Sequence, residues 1–152
     1  MRVQVSLAVL VLLPVLAIQA HAYSPDEKIA DQDSIAALQA KIPQAQPNEQ
    51  CFLYAELIHQ MTEFSVRQYS EGNVDKASDL LKQIQLLAHR VHLSVSDDNK
   101  RLKNAEILLR HTAFRLTEML HSSSYEERPL VEQTLSQVNQ AESDAMLQVF
   151  KK

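Results

Sequence analysis

One glycine, Gly72, and one cysteine, Cys51, stand in the whole chain of 152 residues. A single glycine cannot build a phosphate-cradling loop, a dinucleotide fingerprint or a nucleophile elbow, because each of these needs more than one position free of a Cβ. A single cysteine cannot close an intramolecular disulfide, and without a Cys-x-x-Cys-His stretch covalent haem is excluded too. Positive charge is also scarce: 15 Lys and Arg stand against 19 Asp and Glu, a formal charge of -4. Such a chain has no broad attraction to nucleic acid or anionic lipid. No Asn-x-Ser/Thr acceptor occurs. The serines of "HSSSY" are accounted for by loop and capping roles, and they have no recognisable catalytic partner. Neither an enzyme nor a cofactor is expected.

What is present begins with "MRVQVSLAVLVLLPVLAIQAHA". An early Arg2, an apolar run over residues 5–18 and the small-x-small ending Ala20-His21-Ala22 read as a secretory signal peptide, residues 1–22, cleaved after Ala22. The run is shorter than the ~20 residues a membrane span requires, so no span is expected in the mature chain. The protein is then secreted or periplasmic. Cleavage removes Arg2 and no acid, leaving 14 − 19 = -5, on 152 − 22 = 130 residues. That is enough chain for one domain with one core. In an oxidising compartment Cys51 is a candidate for an intermolecular disulfide, and otherwise a small buried hydrophobe near the start of a helix.

Sparse punctuation leaves long helical stretches. Residues 23–47 read as a polar segment holding a short helix, "SIAALQAKI", and a linker, "PQAQP"; residues 48–152 read as the helical bundle. Four helices are expected there. The first, about 48–70, stripes Tyr54, Leu57, Ile58, Met61, Phe64 and Gln68 and closes at Gly72. The second, about 74–95, carries Ala77, Leu80, Leu81, Ile84, Leu87, Ala88 and Val91 on one face and stops at "SDDNK". The third, about 99–121, repeats Leu102, Ala105, Leu109, Thr112, Leu116 and Met119 at spacings of three and four. The fourth starts at Pro129 and runs through Val131, Leu135, Val138, Ala141, Ala145 and Val149. Short connections imply antiparallel neighbours, so the expected fold is all-α, an up-down antiparallel four-helix bundle with a short additional N-terminal helix. The stretch "YSEGNVDKASDLL" resembles the turn and second helix of a tetratricopeptide repeat over little more than 30 residues. With no second copy, and with Pro129 where the small alanine would recur, it reads as a generic helical hairpin.

Two Glu-x-x-His pairs, Glu56/His59 and Glu118/His121, have the spacing that carboxylate-bridged dimetal sites use on bundle helices. At 100° per residue both pairs fall about 150° from their helices' apolar centres, so they point outward. Folding the helices also leaves them about ten residues, or ~15 Å, apart in depth. Glu56, His59, His89 and Glu106 do fall near one level, and two imidazoles with carboxylates suit zinc or another divalent ion. A periplasmic metal-binding protein or small metalloenzyme using those outward-facing residues is the alternative reading.

The more informative feature is apolar residues on the wrong side. Phe52 and Val66 lie opposite the core stripe of the first long helix, and Ile107 and Phe114 opposite that of the third, where the row reads Lys103, Ile107, Arg110, Phe114, His121. A two-faced helix is either covered by another element, here the short helix with Ile35, Leu38 and Ile42, or meets another chain. The primary expectation is therefore an exported, non-enzymatic interaction or adaptor module, its partner an unidentified protein or a second copy. Mass spectrometry of the exported protein should find Tyr23 at its N-terminus; a chain still carrying residues 1–22 would refute the cleavage.

Overall fold

The computed structural model describes residues 30–93 and 99–151, so the signal-peptide reading and most of the "SDDNK" break lie outside the described residues. What is described is all-helical: α1 (Gln32–Lys41), a 3-10 turn (Ile42–Gln44), α2 (Pro47–Ser70), α3 (Val74–Leu93), α4 (Asn99–Ser122) and α5 (Arg128–Phe150).

Helix ends follow local chemistry. Asp31 caps α1: its carboxylate accepts from the Ser34 N–H at 2.7 Å while the Ser34 hydroxyl accepts from the Asp31 N–H at 3.1 Å. That reciprocal bond holds the Asp31 carboxyl below its ordinary range. Proline occupies the first turn of both α2 and α5, where its missing N–H costs nothing. Gly72, at φ 84°, takes the left-handed conformation that closes α2, with Asn73 N–H donating to the Gln68 carbonyl (2.8 Å) and Gly72 N–H to that of Tyr69 (3.0 Å).

Packing is pairwise. α2 packs on α3 and α4, α5 packs on α3 and α4, and among the described residues α2 does not reach α5 nor α3 reach α4. The chain therefore forms two hairpins, α2/α3 and α4/α5, laid one on the other. Their polar ties fix the direction. Glu49 meets Arg101 (2.5 Å), His59 meets Thr112 (3.1 Å), Glu63 meets Arg115 (2.7 Å), and the Tyr69 hydroxyl donates to the Ser122 carbonyl (3.3 Å). Residue numbers rise together along both helices, so α2 and α4 run parallel. The sequence-based expectation of antiparallel neighbours holds within each hairpin, while the sequential α3 and α4 lie on a diagonal.

A repeat emerges that the sequence conceals. Cys51, Ala55, Ile58, Met61, Ser65 and Gln68 of α2 are buried, and so are Leu102, Glu106, Leu109, Thr112, Leu116 and Met119 of α4, each 51 positions further on (102 − 51, and likewise to 119 − 68). Ala77, Leu80, Ile84 and Val91 of α3 match buried Val131, Thr134, Val138 and Ala145 of α5 at a separation of 54 (131 − 77, and likewise to 145 − 91). The paired positions share burial, and none of these pairs shares a residue type.

The expected core stripes are buried, apart from half-buried Tyr54, Leu87, Leu135 and Val149. α2 goes beyond its stripe, with Cys51, Leu53, Ala55, Thr62 and Ser65 also buried. The reason is that α2 alone packs against three other helices, α1, α3 and α4. Small Ala55 and Ser65 sit on this flank, and the Ser65 hydroxyl donates to the Ala77 carbonyl of α3 at 3.0 Å.

Three buried threonines make a controlled comparison. Thr112 and Thr134 donate to the Leu108 and Leu130 carbonyls, both at 2.8 Å, and Thr134 also accepts from Gln85 Nε2 at 2.9 Å, whereas the Thr62 hydroxyl has no partner. An orphaned buried hydroxyl carries a desolvation cost with no compensating bond. Thr62→Val is expected to raise unfolding stability by roughly 1 kcal/mol and Thr134→Val to lower it by about as much. Urea midpoints of the two variants decide it, and a loss in both would contradict the orphan assignment.

Candidate functional site

The residues singled out as possible metal ligands part company in three dimensions. His59 is half-buried against α4; since the one hydroxyl proton of Thr112 goes to the Leu108 carbonyl, His59 Nδ1 is the donor to Thr112 Oγ1. Glu56 lines an open groove where the end of α1 meets α2 and α4. His89 is exposed on α3, and Glu106 is 6% exposed between α4 and α5. The outward direction read for His59 and Glu106 is thereby corrected: α4 packs on the flank of α2 that carries His59, and α5 on the flank of α4 that carries Glu106. Glu118 and His121 are exposed at the far end of α4, with Glu118 bonded to Arg115. Among the described residues, no three His, Cys, Asp or Glu side chains gather closely enough to hold a metal ion.

Cys51 is 1% exposed, and burial pushes its thiol up to about 11. Both the missing thiolate and the closed surroundings oppose a disulfide with another chain. Of the two readings of Cys51, burial favours the small core hydrophobe of α2 over the intermolecular link.

Polar groups between the helices are mostly tied to one another. Arg115 bridges Glu63 of α2 and Glu118 of its own helix. Tyr69 accepts from the Ser124 N–H at 3.1 Å. The neighbouring Glu127 raises the Tyr69 phenol, and Glu127 is itself held low, first by that phenol. The groove near α1 holds about 540 Å³ and mixes Lys41, Glu49, Glu56, Lys100 and Arg101 with Phe52 and Leu53. Glu49 and Arg101 pair with each other across it.

Of the four candidate contact residues, two lie on α2 and two on α4. Phe52 and Val66 are half-buried, Phe52 in that groove and Val66 against the core. Ile107 and Phe114 are 37% and 64% exposed. α1 packs on α2 only, so the second apolar row of α4 has no cover among the described residues. The internal repeat relates the two rows. Phe52, Glu56, His59 and Glu63 form the side of α2 that meets α4, and 51 positions on stand Lys103, Ile107, Arg110 and Phe114. The same side is closed on α2 and open on α4.

Sequence reasoning missed the acidic pair behind this row. Glu106 is bonded to Arg110, whose Nε lies 3.9 Å from Glu142 on α5. This arrangement turns the Arg110 side chain toward α5. Burial, then the hydrogen bond and charge of Glu106, raise the Glu142 carboxyl, with Arg110 opposing. No family model, curated protein or solved structure matches the chain. No described helix is long and apolar enough to cross a membrane.

An acid whose pKa is raised by folding contributes stability that is present below its ordinary value and is lost as pH rises through the folded one. Glu142→Gln removes that loss. Its stability relative to wild type should therefore grow from pH 4 to pH 7, read from thermal midpoints at each pH. A constant difference would show that Glu142 does not titrate abnormally.

Proposed function

We propose that the chain is an exported up-down four-helix bundle, without catalytic activity, that acts by protein contact through the outer row of α4. The observation that carries this reading is the exposure of Ile107 and Phe114 on a helix whose opposite face is wholly buried. Single exposed apolar residues are ordinary on protein surfaces. Two of them, seven positions apart on the helix face opposite a complete core stripe and interleaved with Lys103 and Arg110, make a second face. Export is supported by the basic, apolar and small-x-small order of the first 22 residues. The bundle is supported by the four helix pairings, with antiparallel packing within the α2/α3 and α4/α5 hairpins.

The test is a photo-crosslinking side chain placed at position 114 in the protein's own compartment. A discrete protein adduct is expected, and Ile107→Asp beside the crosslinker should abolish the contact that forms it. That substitution lies on an exposed position, so stability should stay within about 0.5 kcal/mol of wild type. A crosslinker that finds no protein would sink the reading.

A further inference from the structure

The open row of α4 has a symmetry of its own. About the point midway between Arg110 and His111, Ile107 and Phe114 are equidistant, and so are Lys103 and Glu118. At 100° per residue all four share one stripe, directed away from the buried face. Reversing the helix end for end therefore lays an apolar residue on an apolar residue and a base on an acid. All four are exposed.

Resting on the reading above, we propose that the partner at this face is a second copy of the same chain, with the two α4 helices antiparallel about a two-fold axis between Arg110 and His111. Ile107 of each copy then packs on Phe114 of the other, and Lys103 of each faces Glu118 of the other. Every contact occurs twice, as a two-fold interface requires. At the centre Arg110 comes opposite His111; the Arg110 guanidinium is held by Glu106 and Glu142 on the α5 flank, which offsets its charge there. Glu118 already accepts from Arg115 and has acceptor capacity left for a lysine.

On α2 the corresponding side is already closed by α4, and α1 packs on α2 as well, so the α2/α3 hairpin offers no second copy of this face among the described residues. A head-to-tail chain of copies needs two open ends, whereas a two-fold pair needs one. The row is narrow and about four turns long, at the small end of specific interfaces, so dissociation on the order of 10 µM is expected.

Sedimentation of the purified full protein over a concentration series tests this. Lys103→Glu and Glu118→Lys should each weaken the dimer roughly tenfold, since each substitution sets two like-charged pairs face to face. The double exchange Lys103→Glu/Glu118→Lys should restore it, an outcome that a merely sticky surface would not give. A mixture of Ile107→Cys and Phe114→Cys chains should form a mixed disulfide, the buried Cys51 being shielded. A wild-type monomer at about 500 µM, fifty times the expected constant, would overturn the second-copy inference. So would a dimer indifferent to both charge variants. If the crosslinker at position 114 still captures a different protein in those cases, the contact reading survives without the dimer; if it captures nothing, both fall.

Discussion

The parallel register of α2 on α4 is the constraint from which the remaining layout follows. It is set by polar pairs at both ends and in the middle: Glu49 with Arg101, His59 with Thr112, Glu63 with Arg115, and Tyr69 with the carbonyl of Ser122. Partly exposed ion pairs contribute little stability individually. Their effect here is selective. Sliding α4 by one turn would carry Thr112 away from His59 and Arg115 away from Glu63 together, and would leave half-buried groups without their bonds. The apolar stripe alone, repeating every three or four residues, tolerates such a slide far better. Burial thus drives the hairpins together, and the polar edge fixes where they stop.

With α2 and α4 parallel, α3 and α5 are brought side by side as well, tied by Gln85 and Thr134. The sequential helices α3 and α4 are then forced onto a diagonal. This is the layering that stacked helical hairpins use, in which each layer contacts only its neighbours. Two layers are fewer than the about three that an extended repeat array needs. Here the deficit is offset by α1, which packs on α2 and contributes buried Ile35 and Leu38.

Much of this was legible in the sequence, and the exceptions have physical causes. The α4 stripe from Leu102 to Met119 could be read because only one side of that helix needs to be apolar, so its period is clean. α2 could be read only in part. It is enclosed by three helices, and a residue such as Ser65 is buried by its neighbours and not by its own hydrophobicity. Glu106 was misplaced for the same reason: the charge suggested solvent, while Arg110 and Glu142 allow it to stay between α4 and α5. The repeat itself was invisible because Cys51 corresponds to Leu102 and Met61 to Thr112: the paired positions share burial, and neither residue identity nor side-chain size. Ile107 and Phe114 were legible because they violate the pattern of a helix whose core side is complete.

That violation carries a further argument about kind of function. Catalytic sites bring titratable groups together in a cavity and leave some of them under tension. In this chain the close polar groups mostly neutralise one another along helix edges, as in Glu63–Arg115–Glu118 and Glu106–Arg110–Glu142. The Glu106–Glu142 pair lies between two helices and not in a cleft. What that pair does achieve is mechanical: it draws the Arg110 guanidinium toward α5 and away from the outer row of α4. An arginine extended along that row would cover the gap between Ile107 and Phe114 with its own aliphatic stem. Held aside, it leaves the two apolar side chains as neighbours on a clear stripe, which is the condition for a second helix to lie against them.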